Sequence, residues 1–342
     1  MHLDVGGHPL HTRWLGVTLS ARADGRVGVR GVVLDLRKRG FVPVGGDLQP
    51  SGIVHHMRLD AVVDPTTARL EAITAAQPDV AFEPSELTRG ECCRDPIDRV
   101  AALAGTTLDA GWAKRLSAEI GGPRGCSHLM TLAQFLGATV AWALEQDRAR
   151  FGAAPARRPD ERIFRRDVVV DGHERDPGAL ALALQVTDLH YAPAPAMASS
   201  MDRFASEFEI RGVAEIDFGR FALGGLTLGQ RQRDRATLET ATWRDRSDVA
   251  DGLVGQSLAR GVSQTLLARI ADAPHDRPIF DALLMLAPAL IQCVAALSDA
   301  WPAMAAQGGW VVGMGGRPDS CYMWRAGGAL QGARGENEPP TA

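Results

Sequence analysis

Apolar and polar residues alternate from Trp14 to Arg22, the two-residue period of a strand with one buried face. Ala23-Asp24-Gly25-Arg26 follows, and Asp-Gly between alternating runs is a strong hairpin signal. Val27 to Leu36 is the predicted partner strand, with Val29, Val32 and Leu34 as its apolar members. After a Gly/Pro-rich loop from Arg39 to Ser51, Ile53 to Val63 reads as a third strand. Asp64-Pro65-Thr66-Thr67 turns it into a fourth, Ala68 to Ala75. Four such strands predict an antiparallel meander.

The period then lengthens. Pro96 fits the first position of a short helix through Val100 and Leu103, ended by Gly105. Leu108 to Ile120 is a second helical piece. Cys126 to Gln146 is the third and longest, with Leu129, Leu132, Ala133, Leu136, Val140 and Ala143 on one stripe. Gly121-Gly122-Pro123 cannot continue a helix, so Cys126 or Ser127 caps the third one. At roughly 100° per residue, Cys126 leans toward the stripe and His128 toward its edge.

The same order of patterns recurs. Ile163 to Val170, a turn at Asp171-Gly172, and Ala179 to Leu189 match the first hairpin, with Asp188-Leu189 where Asp35-Leu36 stood. Phe204 to Ile210 and Val213 to Leu223 stand for the third and fourth strands. Leu103, Gly105, Leu108 and Gly111 pair without a gap with Leu253, Gly255, Leu258 and Gly261. Leu132, Ala133 and Val140 pair with Leu286, Ala287 and Val294. The expected fold is α+β, a tandem duplication of an antiparallel β-meander covered by helices. The expected organisation is an N-terminal arm at 1–13, a first module at 14–147, a linker at 148–162 and a second module at 163–300. An extension at 301–330, with strands at Trp310 to Met314 and Cys321 to Ala326, precedes a disordered tail at 331–342.

Composition narrows the function. With 342 residues and 45% hydrophobic content, the chain can bury full cores without disulfides or structural metals. The net charge of −4 offers no basic field, so no nucleic-acid partner is expected. Cys92, Cys93, Cys126, Cys293 and Cys321 make no disulfide framework, and the N-terminus has no apolar signal region. Ile279 to Leu297 is apolar but broken by Asp281, Pro288 and Gln292, which suits a buried helix rather than a membrane span. A cytoplasmic location, a small-molecule ligand and no membrane partner are expected. The oligomeric state is left open.

No phosphate loop, dinucleotide fingerprint, nucleophile elbow or zinc-protease motif is present. The chemistry-bearing set is His55, His56, Cys92, Cys93, Cys126 and His128. Thiolates and imidazoles from a strand, a loop and a helix start can ligate zinc or iron. Alternatively, Cys126 and His128 are a catalytic pair, the imidazole taking the thiol proton. The helix dipole is expected to lower the Cys126 pKa. The bland alternative is a small buried cysteine and a half-exposed histidine, with strand alternation burying only one of His55 and His56. Opposite Gly125-Cys126-Ser127-His128 the second copy has His275-Asp276-Arg277-Pro278, so a single site is expected.

Residues from about 12 to 147 resemble a bacterial family known only as a domain of unknown function, whose signature is a Gly-Cys-Thr-His-Leu helix start. The matching residues are Arg22-Ala23-Asp24-Gly25, Leu34-Asp35, His55-His56-Met57-Arg58-Leu59, Cys92 or Cys93, Leu103-x-Gly105 and Gly125-Cys126-Ser127-His128-Leu129, with Ser127 in place of threonine. The resemblance implies no reaction. The layout also resembles iron–sulfur assembly scaffolds, in layout alone. The expected function is an enzyme of bacterial small-molecule catabolism with one Cys/His site, with or without metal assistance. The alternative is a non-catalytic protein for metal or iron–sulfur handling or for ligand binding.

Overall fold

The computed structural model describes residues 1–40, 42–44, 47–176, 179–259, 261–297 and 318–331. Strands β1 (His8–Ala21) and β2 (Val27–Arg37) are followed by a small hairpin, β3 (Val42–Val44) and β4 (Asp47–Gln49), then by β5 (Gly52–Val63) and β6 (Leu70–Asp79). β7 (Arg162–Asp176), β8 (Ala179–Tyr191), β9 (Phe204–Asp217) and β10 (Ala222–Asp234) form a second meander, with β11 (Arg244–Asp245) on its edge. β1 also pairs antiparallel with β7, so both meanders fuse into one nine-stranded sheet, ordered β11-β10-β9-β8-β7-β1-β2-β5-β6. The fold is mixed α+β.

Helices α1 (Trp112–Ile120) and α2 (Ser127–Phe151) follow the first meander. α3 (Ser200–Arg203) interrupts the second, and α4 (Val262–Asp272), α5 (Arg277–Leu283) and α6 (Leu286–Ala296) follow it. Alternation gives β1 a buried row of His11, Arg13, Leu15, Val17 and Leu19, on which helices pack. Close approach is built into the sequence at two glycines. A Cβ at Gly31 of β2 would lie 2.9 Å from Leu136 of α2, and one at Gly172 of β7 would lie 2.0 Å from Cys293 of α6. Each helix therefore sits directly on a strand. Leu132, Leu136, Val140, Leu286 and Leu290 are buried as their stripes predict, each contributing about 1.5–3 kcal/mol. Val294 is only half-buried.

Several boundaries differ from expectation. β1 begins at His8, so His11 lies inside the sheet rather than in a loose arm. The fourth strand of the second meander is Ala222–Asp234, not Val213 to Leu223. β9 runs on to Asp217 because Gly212 is no break: it leaves room for Leu228, which a Cβ would meet at 2.4 Å. α2 continues to Phe151, into the expected linker, and ends at Gly152 with φ +88°. Cys321 to Ala326 is a turn containing a 3-10 helix, Tyr322–Trp324, not a strand. The expected strand at Trp310 to Met314 and all but the first residue of the expected tail lie outside the described residues. The apolar stretch near the C-terminus is two helices, α5 and α6. Pro274–Ala296 is long and apolar enough to cross a membrane by length and composition, but 67% of its apolar window is buried inside the fold.

Candidate functional site

Strand register builds the centre of the site. Arg13 lies opposite Asp35 between β1 and β2, and Asp35 lies opposite His55 between β2 and β5. Alternation turns all three toward the helices. Arg13 donates from Nε to Asp35 Oδ1 at 2.8 Å and from Nη2 to Oδ2 at 2.7 Å. Both residues are sealed from solvent. Burial works against the Asp35 charge, but the guanidinium and the His55 ring hold its carboxyl well below the usual range. Asp35 is therefore a fixed carboxylate.

Three imidazoles surround it. His55 Nδ1 lies 3.1 Å from Asp35 Oδ2. His128, in the first turn of α2, stacks on His55 with ring centroids 3.8 Å apart and planes at 28°. Its Nε2 is 3.6 Å from the same Oδ2. His11 Nε2 is 3.4 Å from Oδ1, yet neither ring nitrogen of His11 has a hydrogen-bond partner. Burial, together with neighbouring cations, pushes the His11 pKa down to about 3 against the pull of Asp35. His128 is likewise lowered, by burial and then by His55 and Arg13. Both rings are neutral at pH 7, the state in which imidazole ligates metal. Gln292 of α6 closes the group, its Nε2 lying 3.1 Å from His128 Nε2.

One ligand atom each from Asp35, His55 and His128 lies within 4.8 Å of the others. Two imidazoles and a carboxylate form a donor set that suits zinc or iron. The Arg13 fork takes one lone pair from each carboxylate oxygen and leaves others free.

The remaining expected site residues lie elsewhere. His56 faces the opposite side of β5, with Nδ1 3.7 Å from Asp79. Cys126 is buried with its Sγ 3.9 Å from Met57 Sδ, two residues from His55, so it borders the centre without joining the group. Its thiol is pushed up to about 11 by burial, which outweighs the N–H groups of Leu129 and His128. The expected lowering by the helix start does not occur. Cys92 Sγ lies between Glu83 and Arg94. Cys93 packs beside Phe82 and Met323, with burial raising its thiol well above the ordinary value. Asp35, His11, Arg13 and Gln292 were not singled out from sequence as site residues. A usable signal existed, because an acid on the apolar face of a strand needs a buried partner.

The second meander carries a like ion pair without the three-imidazole cluster, its one nearby imidazole among the described residues being His190, within the field of Arg166. Arg166 holds Asp188 by two hydrogen bonds of 2.6 Å, across the same 22-residue separation as Arg13 and Asp35. Phe208 lies opposite Asp188, where His55 lies opposite Asp35. Arg166 also reaches Asp281 at 3.1 Å. An open groove beside Pro50, Ile53, Val54, Asp79, Val80 and Glu83 runs past the start of β5.

Residues 11–142 match the family Protein of unknown function (DUF2889). The matched span holds His11, Arg13, Asp35, His55, Cys126 and His128, and excludes Gln292 and the second meander. No curated protein matches the chain. The DUF2889 span thus coincides with the half of the molecule in which histidines gather on an Arg–Asp pair.

Proposed function

We propose that the chain is a metal-assisted enzyme acting on a small molecule, with zinc or iron held by Asp35, His55 and His128. The observation that carries this is the convergence of three ligand atoms, from two strands and a helix start, within 4.8 Å. Such an ion, when bound by these residues, would supply a Lewis acid to polarise a substrate oxygen or lower the pKa of water. Arg13 orients the carboxylate, and the buried surroundings strengthen every charge interaction. The guanidinium also repels a cation, which favours a site of moderate affinity. Iron–sulfur handling is less favoured, because Cys126 is a buried thiol and half-buried Cys93 is also raised above the ordinary thiol value, both outside the ligand group.

We read the two halves as copies of one unit. In support, Gly105 and Gly255 share φ +86° and donate to Leu70 O at 2.6 Å and Leu223 O at 2.7 Å respectively. Leu108 and Leu258 return equivalent bonds to Ala68 and Phe221, both with positive φ. On this reading the second copy keeps the ion pair as scaffold and has lost, or never gained, the three-imidazole cluster. Five free cysteines fit a reducing, cytoplasmic setting.

Metal analysis of the purified chain tests the proposal. About one equivalent of zinc or iron per chain is expected, lost in His55→Ala and in His128→Ala with the circular dichroism spectrum unchanged. A chain that carries no metal and takes none up from solution would overturn it.

A further inference from the structure

Gln292 is the one polar contact to the histidine cluster from the second half, among the described contacts of that cluster. It is 7% exposed, and its helix is locked in place. α6 lies across β1 and β7, and the neighbouring Cys293 fills the space left by Gly172. The Gln292 amide therefore reaches His128 from a fixed base, with only its own torsions to vary.

The contact falls on the nitrogen that matters. His128 Nε2 lies 3.6 Å from Asp35 Oδ2, and the Gln292 amide rests on the same nitrogen at 3.1 Å. An amide can donate to the imidazole lone pair or, turned over, accept from its N–H. Either arrangement occupies the position that a metal ion would need. Resting on the metal reading above, we propose that Gln292 is a latch: it holds His128 Nε2 and must release it before metal is bound. The second half then sets the affinity of a site whose ligands all belong to the first.

The expected size follows from the strength of one hydrogen bond. If the latch is closed most of the time, apparent affinity is reduced by the fraction of time that His128 is free. A typical net hydrogen bond corresponds to about fivefold. Gln292→Leu keeps the volume and the apolar stem but cannot bond to Nε2. Zinc titration of the full chain against a chelating dye should show this variant binding about fivefold more tightly than wild type. Gln292→Asn, whose shorter side chain withdraws the amide, should tighten binding in the same direction. Equal or weaker zinc binding by Gln292→Leu, with wild type binding normally, would overturn the latch and leave the metal site standing. Failure of wild type to bind zinc would remove both. Melting temperatures of the variants separate any loss of folding from loss of binding.

Discussion

His128 lies flat on His55 although the two residues come from different layers, one from the sheet and one from the helix that covers it. The chain before α2 makes this possible. Gly125 precedes the helix in extended backbone, and a Cβ there would lie 2.3 Å from Ile120 O. The tight passage brings the first turn of α2 down onto β5. Stacked rings direct their nitrogens in parallel, so metal binding requires a modest rotation of His128, the one ring of the three with part of its edge in solvent.

The buried Arg13–Asp35 pair should be indispensable to folding, whatever its role in chemistry. Removing one partner leaves an uncompensated buried charge, at a cost of about 3–5 kcal/mol. Arg13→Met is expected to lower unfolding free energy by that amount in urea titrations, and Arg166→Met should do likewise because buried Asp188 would lose its cation and Asp281 would keep only Arg277. A loss below about 1 kcal/mol at either position would show that the pair is not the scaffold described here.

Acid stability supplies a second test, through His190. Burial first, then Arg150 and Arg166, lowers its pKa from 6.5 to about 3. Between those values the unfolded chain binds a proton that the folded chain refuses. Stability therefore falls as pH drops through that window and is unaffected by this group above it. His190→Gln should remove part of the slope, up to about 1.4 kcal/mol per pH unit. Parallel stability curves for wild type and variant between pH 6.5 and pH 4 would contradict the assignment.

Much of the scaffold was legible in the sequence, and the centre of the site much less so. Two-residue alternation located β1, β2, β5 and β6, and the helical stripe located α2, because each depends on local periodicity. Gly105 and Gly255, paired in the sequence, take the same backbone conformation, one that favours glycine. The site failed to show because register creates it. Asp35 gains meaning only when pairing sets it between Arg13 and His55. Gln292 is far away in sequence and reaches His128 only through α6 packing. Cys126 was overrated for the converse reason. Its helix-start position was correct, but the dipole is outweighed by desolvation that only the packed core supplies.

That burial makes the cysteine a poor nucleophile. With its thiol at about 11, Cys126 should react with iodoacetamide far more slowly at pH 7.5 than a free thiol titrating near 8.5. Cys126→Ala should retain zinc binding. Rapid labelling of Cys126 in the folded chain, or loss of zinc binding in Cys126→Ala, would restore the thiol to the chemistry.

X-ray absorption at the zinc edge of the metal-loaded chain tests the central claim most directly. The Asp35, His55 and His128 site predicts a first shell of nitrogen and oxygen alone at about 2.0–2.1 Å, with imidazole multiple scattering. A sulfur shell at about 2.3 Å would contradict it, placing a cysteine among the ligands.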